Sequence, residues 1–170
     1  MGICFLERGC FISFTMTKRI MIDIKEQLYN KCLEFVNRRF QTIQNTINEI
    51  QVSLTSETKS SAGDKHETGR AMLQLEREKA GNQLAEIQQV KQNLSKIDIS
   101  KKTRVIGLGS VVFTTNANYF IAISAGELKL DSANFYAISP NTPIGQLLLG
   151  KTINDTISFR SQDFIINKIF

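Results

Sequence analysis

The chain has 170 residues, 42% of them hydrophobic and 22% charged, with ten glycines, two prolines and no tryptophan, a balance that excludes collagen-like, proline-rich and disordered classes. No stretch approaches the roughly 20 apolar residues needed to cross a bilayer, so no membrane partner is expected. The formal net charge of +5 is compatible with weak DNA or RNA contact or with an acidic protein partner, and falls far short of a dedicated DNA binder.

Residues 1–20 are apolar, but Glu7 and Arg8 interrupt the run and no small-x-small cleavage site follows, so a secretion signal is not expected. This segment reads as an N-terminal extension, non-native or disordered, with Met16 a candidate natural start. Cys4, Cys10 and Cys32 have no paired spacing and His66 is the single histidine. Neither a disulfide framework nor a zinc site is suggested, and the chain reads as cytoplasmic.

Residues 21–98 carry a helical pattern. Tyr29, Leu33, Val36, Phe40, Ile43, Ile47, Ile50 and Leu54 alternate steps of four and three, a heptad seam with no glycine or proline to break it. Those 26 residues alone predict a helix of about 39 Å. The stretch TSETKSSAGDKHE then crowds serine, threonine and glycine, the composition of a turn, which places the tip near 55–68. A second stripe follows: Leu73, Ala80, Leu84, Ile87, Val90, Leu94 and Ile97. Two amphipathic helices of similar length joined by a short polar turn predict an antiparallel coiled-coil hairpin, a dimeric bundle being the alternative.

Residues 99–170 change grammar. GSVVFTT, NYFIAIS, NFYAIS, DTISFR and DFIINKIF are short and rich in β-branched and aromatic residues, and Gly107, Gly109 and Gly126 punctuate them. The expectation is a small antiparallel sheet or half-barrel of five or six strands, with PIGQLLLG as a short covering helix. The whole chain is thus expected to be α+β, a helical hairpin followed by a β-rich domain.

The informative polar residues are Asp64 and Glu67, which sit where the hairpin turns back. Two carboxylates three apart on a helix can face the same way. Asp-x-x-Glu at a helix start is most often a capping box, the aspartate accepting from a backbone N–H and the glutamate reaching back. The same oxygen-rich pair also suits Mg²⁺, which takes one or two protein carboxylates and completes its coordination elsewhere. Lys59, Lys65, Arg70 and Arg77 surround the tip and are candidate contacts for RNA phosphates or acidic groups of a partner, although solvated helix faces are commonly rich in such residues. A lone exposed histidine such as His66 more often has no role than tunes its neighbours.

GDKHE, followed by the charged RAMLQLEREK, resembles the hairpin tip of the Gre-type transcript-cleavage factors of bacteria. SPNTPIGQLLLGKTINDT is similar to the C-terminal signature of the same family, carried here by Ser139, Pro140, Pro143, Ile144, Gly145, Leu148, Gly150, Lys151 and Asp155. The resemblance covers roughly residues 20–170, and its C-terminal part is the longer and more specific. It implies an FKBP-like C-terminal domain, docking at the secondary channel of RNA polymerase, and contact with the RNA 3′ end there. It further implies that Asp64 and Glu67 supply ligands to a Mg²⁺ shared with the polymerase, catalysing hydrolysis of backtracked RNA, with no activity of the chain alone. The family's usual Asn-Ala-Glu-Tyr after the glutamate is replaced here by Thr68, Gly69, Arg70 and Ala71. A non-cleaving regulator of the same channel, or a coiled-coil adaptor or chaperone module, are the alternative expectations.

Overall fold

The computed structural model describes the backbone of residues 8–57, 64–130 and 133–170, and the side chains within them except at 8–22, 57 and 64–66. Two long helices come first, α1 (Arg8–Glu57) and α2 (Asp64–Ser95). A six-stranded sheet follows, from β1 (Val111–Thr114), β2 (Asn118–Ile121), β3 (Gly126–Leu130), β4 (Ala133–Ile138), β5 (Thr156–Phe159) and β6 (Gln162–Ile169), with a short helix α3 (Pro143–Leu148) before β5. The fold is α+β, as expected. Helix α1 begins at Arg8, so the backbone of 8–20, read in the sequence as part of an extension, is helical.

The chain divides into two compact units, one formed by Leu33–Ser95 and the other by Lys96–Phe170 with Met1–Cys32. In the first, α1 and α2 run antiparallel: the Lys91 ammonium lies 5.7 Å from the centre of the Phe40 ring, while Ile50 and Leu54 cluster with Ala80. Position along α2 therefore falls as position along α1 rises. Every apolar residue of the two heptad stripes is buried or half-buried, including Val36, Ile43, Ile50, Leu54, Ile87 and Leu94. Hydrophobic burial along one seam, rather than intrinsic propensity, holds such helices together.

In the second unit the strand order is β3-β4-β2-β1-β6-β5. The sheet is mixed, which corrects the expectation of an antiparallel one: β2 pairs in parallel with β4, Asn118 opposite Phe135 through Ile121 opposite Ile138. The cause is β3, GELKL, a strand absent from the runs picked out in the sequence. It lies at the edge and hairpins back onto β4, which inserts between β3 and β2. The chain leaving β2 thus reverses twice before it returns beside it, and parallel pairing follows.

In the central strands β1 and β2 both faces are buried, which is why VVF and YFIAI are continuous apolar runs, whereas β3, β4, β5 and β6 alternate buried with exposed positions. On one face Val112, Ile121, Phe164 and Ile166 pack with Leu148 of α3, and Ile144 and Leu149 pack against that cluster. On the other, Val111 and Phe120 are fully buried, and Phe113 meets Phe135 and Phe170 edge to face at 5.5 and 5.4 Å. Edge-to-face geometry sets the positive rim of one ring against the negative face of the next.

Candidate functional site

The acidic pair lies at the start of α2. Residues 58–63, Lys59 among them, are outside the described residues, as are the side chains of Asp64, Lys65 and His66. Asp64 is the first residue of α2, and Glu67, one turn further, is exposed. Arg70 and Arg77 are exposed and lie two turns apart on the same helix. Among the described residues no group of three or more His, Cys, Asp or Glu side chains converges as a metal site.

The C-terminal signature folds as a tightly specified turn and helix. Thr142 caps α3: its hydroxyl accepts from the Gly145 N–H at 3.1 Å and donates to the Ser139 carbonyl at 2.7 Å, and Pro143 occupies the first turn, where no N–H is needed. A Cβ at Gly145 would run into the Ser139 carbonyl oxygen and stand 2.8 Å from Thr142 Oγ1. Only glycine fits. Leu148 is fully buried, and Gly150 turns the chain at φ +76°, in the left-handed region that favours glycine.

Beyond that turn the Gly150 N–H donates to the Ile106 carbonyl at 3.0 Å and the Ile106 N–H donates to the Lys151 carbonyl at 2.9 Å. The Asp155 carboxylate accepts from the Thr152 N–H at 2.7 Å and from its hydroxyl at 3.2 Å. These bonds, chiefly the backbone one, hold the Asp155 carboxyl below the usual aspartate range. Gly145, Leu148, Gly150 and Asp155 thus each have a structural task in this turn. Lys151 keeps its side chain exposed.

A second candidate place was not picked out in the sequence. Lys25 on α1 is only 5% exposed, and its ammonium donates to the Lys101 carbonyl at 2.8 Å. It lines a pocket of about 90 Å³ together with Ile99, Lys102, Thr103, Ile169 and Phe170. Burial lowers the pKa of this lysine, Asp98 opposes that shift, and Lys102 adds to it. Asp98 is itself engaged: its carboxylate accepts from the Ser100 N–H at 2.9 Å and from the Ser100 hydroxyl at 2.6 Å. The signal in the sequence was the spacing Lys25, Leu28, Cys32, Val36, one helical face on which all four residues are buried. The lysine masks it, because a charge at such a position ordinarily marks the solvent side.

No protein-family model matches the chain, and no curated protein resembles it closely enough to count as a match. Among the described residues no helix is long and apolar enough to cross a membrane.

Proposed function

We propose that this chain is a cytoplasmic transcription elongation factor of the Gre type. On this reading it enters the secondary channel of RNA polymerase with its helix pair and stimulates cleavage of backtracked RNA. The observation that carries the proposal is the antiparallel helix pair with Asp64 at the start of its returning helix and Glu67 one turn on. A pair of long helices with a core of its own is a means of carrying that acidic tip to a site that a compact domain cannot reach. We read the mixed sheet with α3 across one face as an FKBP-like docking domain. The match of Ser139–Lys151 to the family signature supports this reading.

The donor set fits the metal the resemblance implies. Asp64 and Glu67 offer hard carboxylate oxygens, and two protein carboxylates are the number Mg²⁺ commonly takes. When bound, such a cation stabilises charge on an attacking water or a leaving oxygen in phosphodiester hydrolysis. The chain's own part is to present two carboxylates at the helix start, where the exposed N–H groups favour negative charge, and to flank them with Lys65, Arg70 and Arg77 for RNA phosphates. The polymerase supplies the remaining ligands, so the chain has no activity alone.

The test is co-purification with RNA polymerase together with RNA shortening in stalled, backtracked complexes. The expected result is binding by wild type and by the double variant Asp64→Ala, Glu67→Ala, with shortening lost only in the variant. Undiminished shortening by the variant refutes the metal role. The replacement of the family's Asn-Ala-Glu-Tyr by Thr68, Gly69, Arg70 and Ala71 favours a second reading, a non-cleaving regulator of the same channel. Wild-type binding without shortening would select it, and failure to co-purify would select an adaptor module.

A further inference from the structure

Three rings form a row across the sheet, and the row ends open. Phe164 on β6 is 2% exposed, Tyr119 on β2 9% and Tyr136 on β4 42%. The Tyr119 ring centre lies 6.4 Å from that of Phe164 and 6.3 Å from that of Tyr136, with tilts of 30° and 40°. Tyr119 and Tyr136 are direct neighbours in the parallel pairing of β2 with β4, so the inner rings support the outer one. An exposed tyrosine by itself signifies little. This one lines an open cavity of about 540 Å³, within the ~300–1,000 Å³ typical of small-molecule sites.

The other walls come from Asn116, Asn118 and Asn134, with Ala117 and Ala133, so no described residue lining the cavity carries a charge. Just outside, Glu127 and Lys129 on β3 stand opposite Tyr136 and Asn134 and bring one charge of each sign. The turn that carries Asn116 is tightly specified. The Thr114 hydroxyl donates to the Ala117 carbonyl at 2.7 Å and accepts from the Asn116 and Ala117 N–H groups at 3.3 and 3.1 Å. The Thr115 hydroxyl accepts from the Ile165 N–H at 3.1 Å, and the Asn118 amide donates to the Asn134 carbonyl at 3.0 Å, joining β2 to β4. Among the described residues the side-chain amides of Asn116 and Asn134 make no hydrogen bond, and both residues are exposed.

A neutral lining of phenols and amides offers an ion no counter-charge, and favours a flat ligand with donors and acceptors on its edge. A carboxamide presents one donor group beside one acceptor, and adenine presents the complement, its N6–H donor beside the N7 acceptor. Guanine shows two acceptors on the same edge, which calls for the arginine or lysine that this cavity lacks. The π-face of a base stacks on an open tyrosine ring. We propose that this cavity binds an adenine base, stacked on Tyr136 and met on its edges by the Asn116 and Asn134 amides. The base belongs either to a free nucleoside or to an unpaired residue of RNA. All of these residues lie in one compact unit, so the site stands apart from the function proposed for the acidic pair.

The test is titration of the full chain, without polymerase, with adenosine, guanosine and maltose, followed by amide chemical shifts and by tyrosine fluorescence, which no tryptophan masks. The expected result is saturable binding of adenosine, about tenfold tighter than guanosine, with shifts centred on residues 116–119 and 133–136. Added salt should leave it unchanged, because no phosphate contact releases counterions. Tyr136→Ala should weaken binding about tenfold through loss of one base–aromatic stack, while Tyr136→Phe retains it and thermal melting reports that both variants fold. The double variant Asn116→Ala, Asn134→Ala should lose the preference for adenosine over guanosine. A short oligoadenylate names the source of the base. The same shifts at an affinity above that of adenosine, falling with salt, support an RNA residue, and the same shifts at equal affinity support a free nucleoside. No saturable binding of adenosine, equal responses to adenosine and guanosine, tighter binding of maltose, or unchanged binding in Tyr136→Ala would each overturn the proposal.

Discussion

The helix-pair unit and the sheet unit bury their apolar residues in different ways. Along the helix pair the seam alternates buried with half-buried positions, so that Leu84 and Val90 keep part of their surface in water and Gly69 and Gly81 have open space where a Cβ would go. In the sheet unit Val111, Val112, Phe120, Ile121, Leu148 and Ile166 are fully buried, and Gly145 has no room for even one more carbon. A one-dimensional seam tolerates change at most positions because each residue meets only a few neighbours across it. The central strands β1 and β2, buried on both faces, and the residues packed on them are close-packed in three dimensions, and volume changes there have nowhere to go.

The sharpest test of that contrast is Leu148→Ala beside Leu84→Ala. The first should cost about 4 kcal/mol and the second about half as much, since the loss grows with the cavity left behind and a half-buried site leaves little of one. Urea denaturation of both variants measures it, and equal losses would break the comparison.

Next in size is Gly145→Ala, expected to destabilise by about 3 kcal/mol because the new methyl group meets the Ser139 carbonyl, a backbone atom that cannot swing aside. A smaller effect would mean that the turn before α3 shifts more readily than its hydrogen bonds to Thr142 suggest.

Two smaller effects refine the picture. Burial pushes the Cys32 thiol up to about 12 from its ordinary 9.0. A pKa raised on folding contributes stability that is fully present below the unfolded value and is lost as pH rises through the folded one. Between pH 8 and pH 10 the wild type should therefore lose about 1 kcal/mol more than Cys32→Ala, read from unfolding curves at the two pH values. On the helix pair, Gly81→Ala should raise stability by about 0.8 kcal/mol, because alanine is the better helix former and its methyl group meets nothing within 4 Å. A loss instead would show that the α2 seam is tighter than its exposure implies.

The sequence by itself determined the helix pair, because a 3.6-residue repeat is a local signal: each residue of the Tyr29–Leu54 stripe reports its own face of α1. It also determined the short covering helix, since proline in the first turn and glycine after the end are local rules. The spacing of Asp64 and Glu67 was legible for the same reason, and so was the choice between capping and metal binding that spacing leaves open. The tertiary structure alone decided the parallel pairing of β2 with β4, because strand order depends on where β3 is inserted and not on the composition of any one strand. It alone decided that Gly145 is required by a backbone carbonyl six residues earlier. And it alone placed Lys25 among Ile99, Lys101, Lys102 and Phe170, since a buried ammonium is defined by what covers it, and those residues lie more than seventy positions away along the chain.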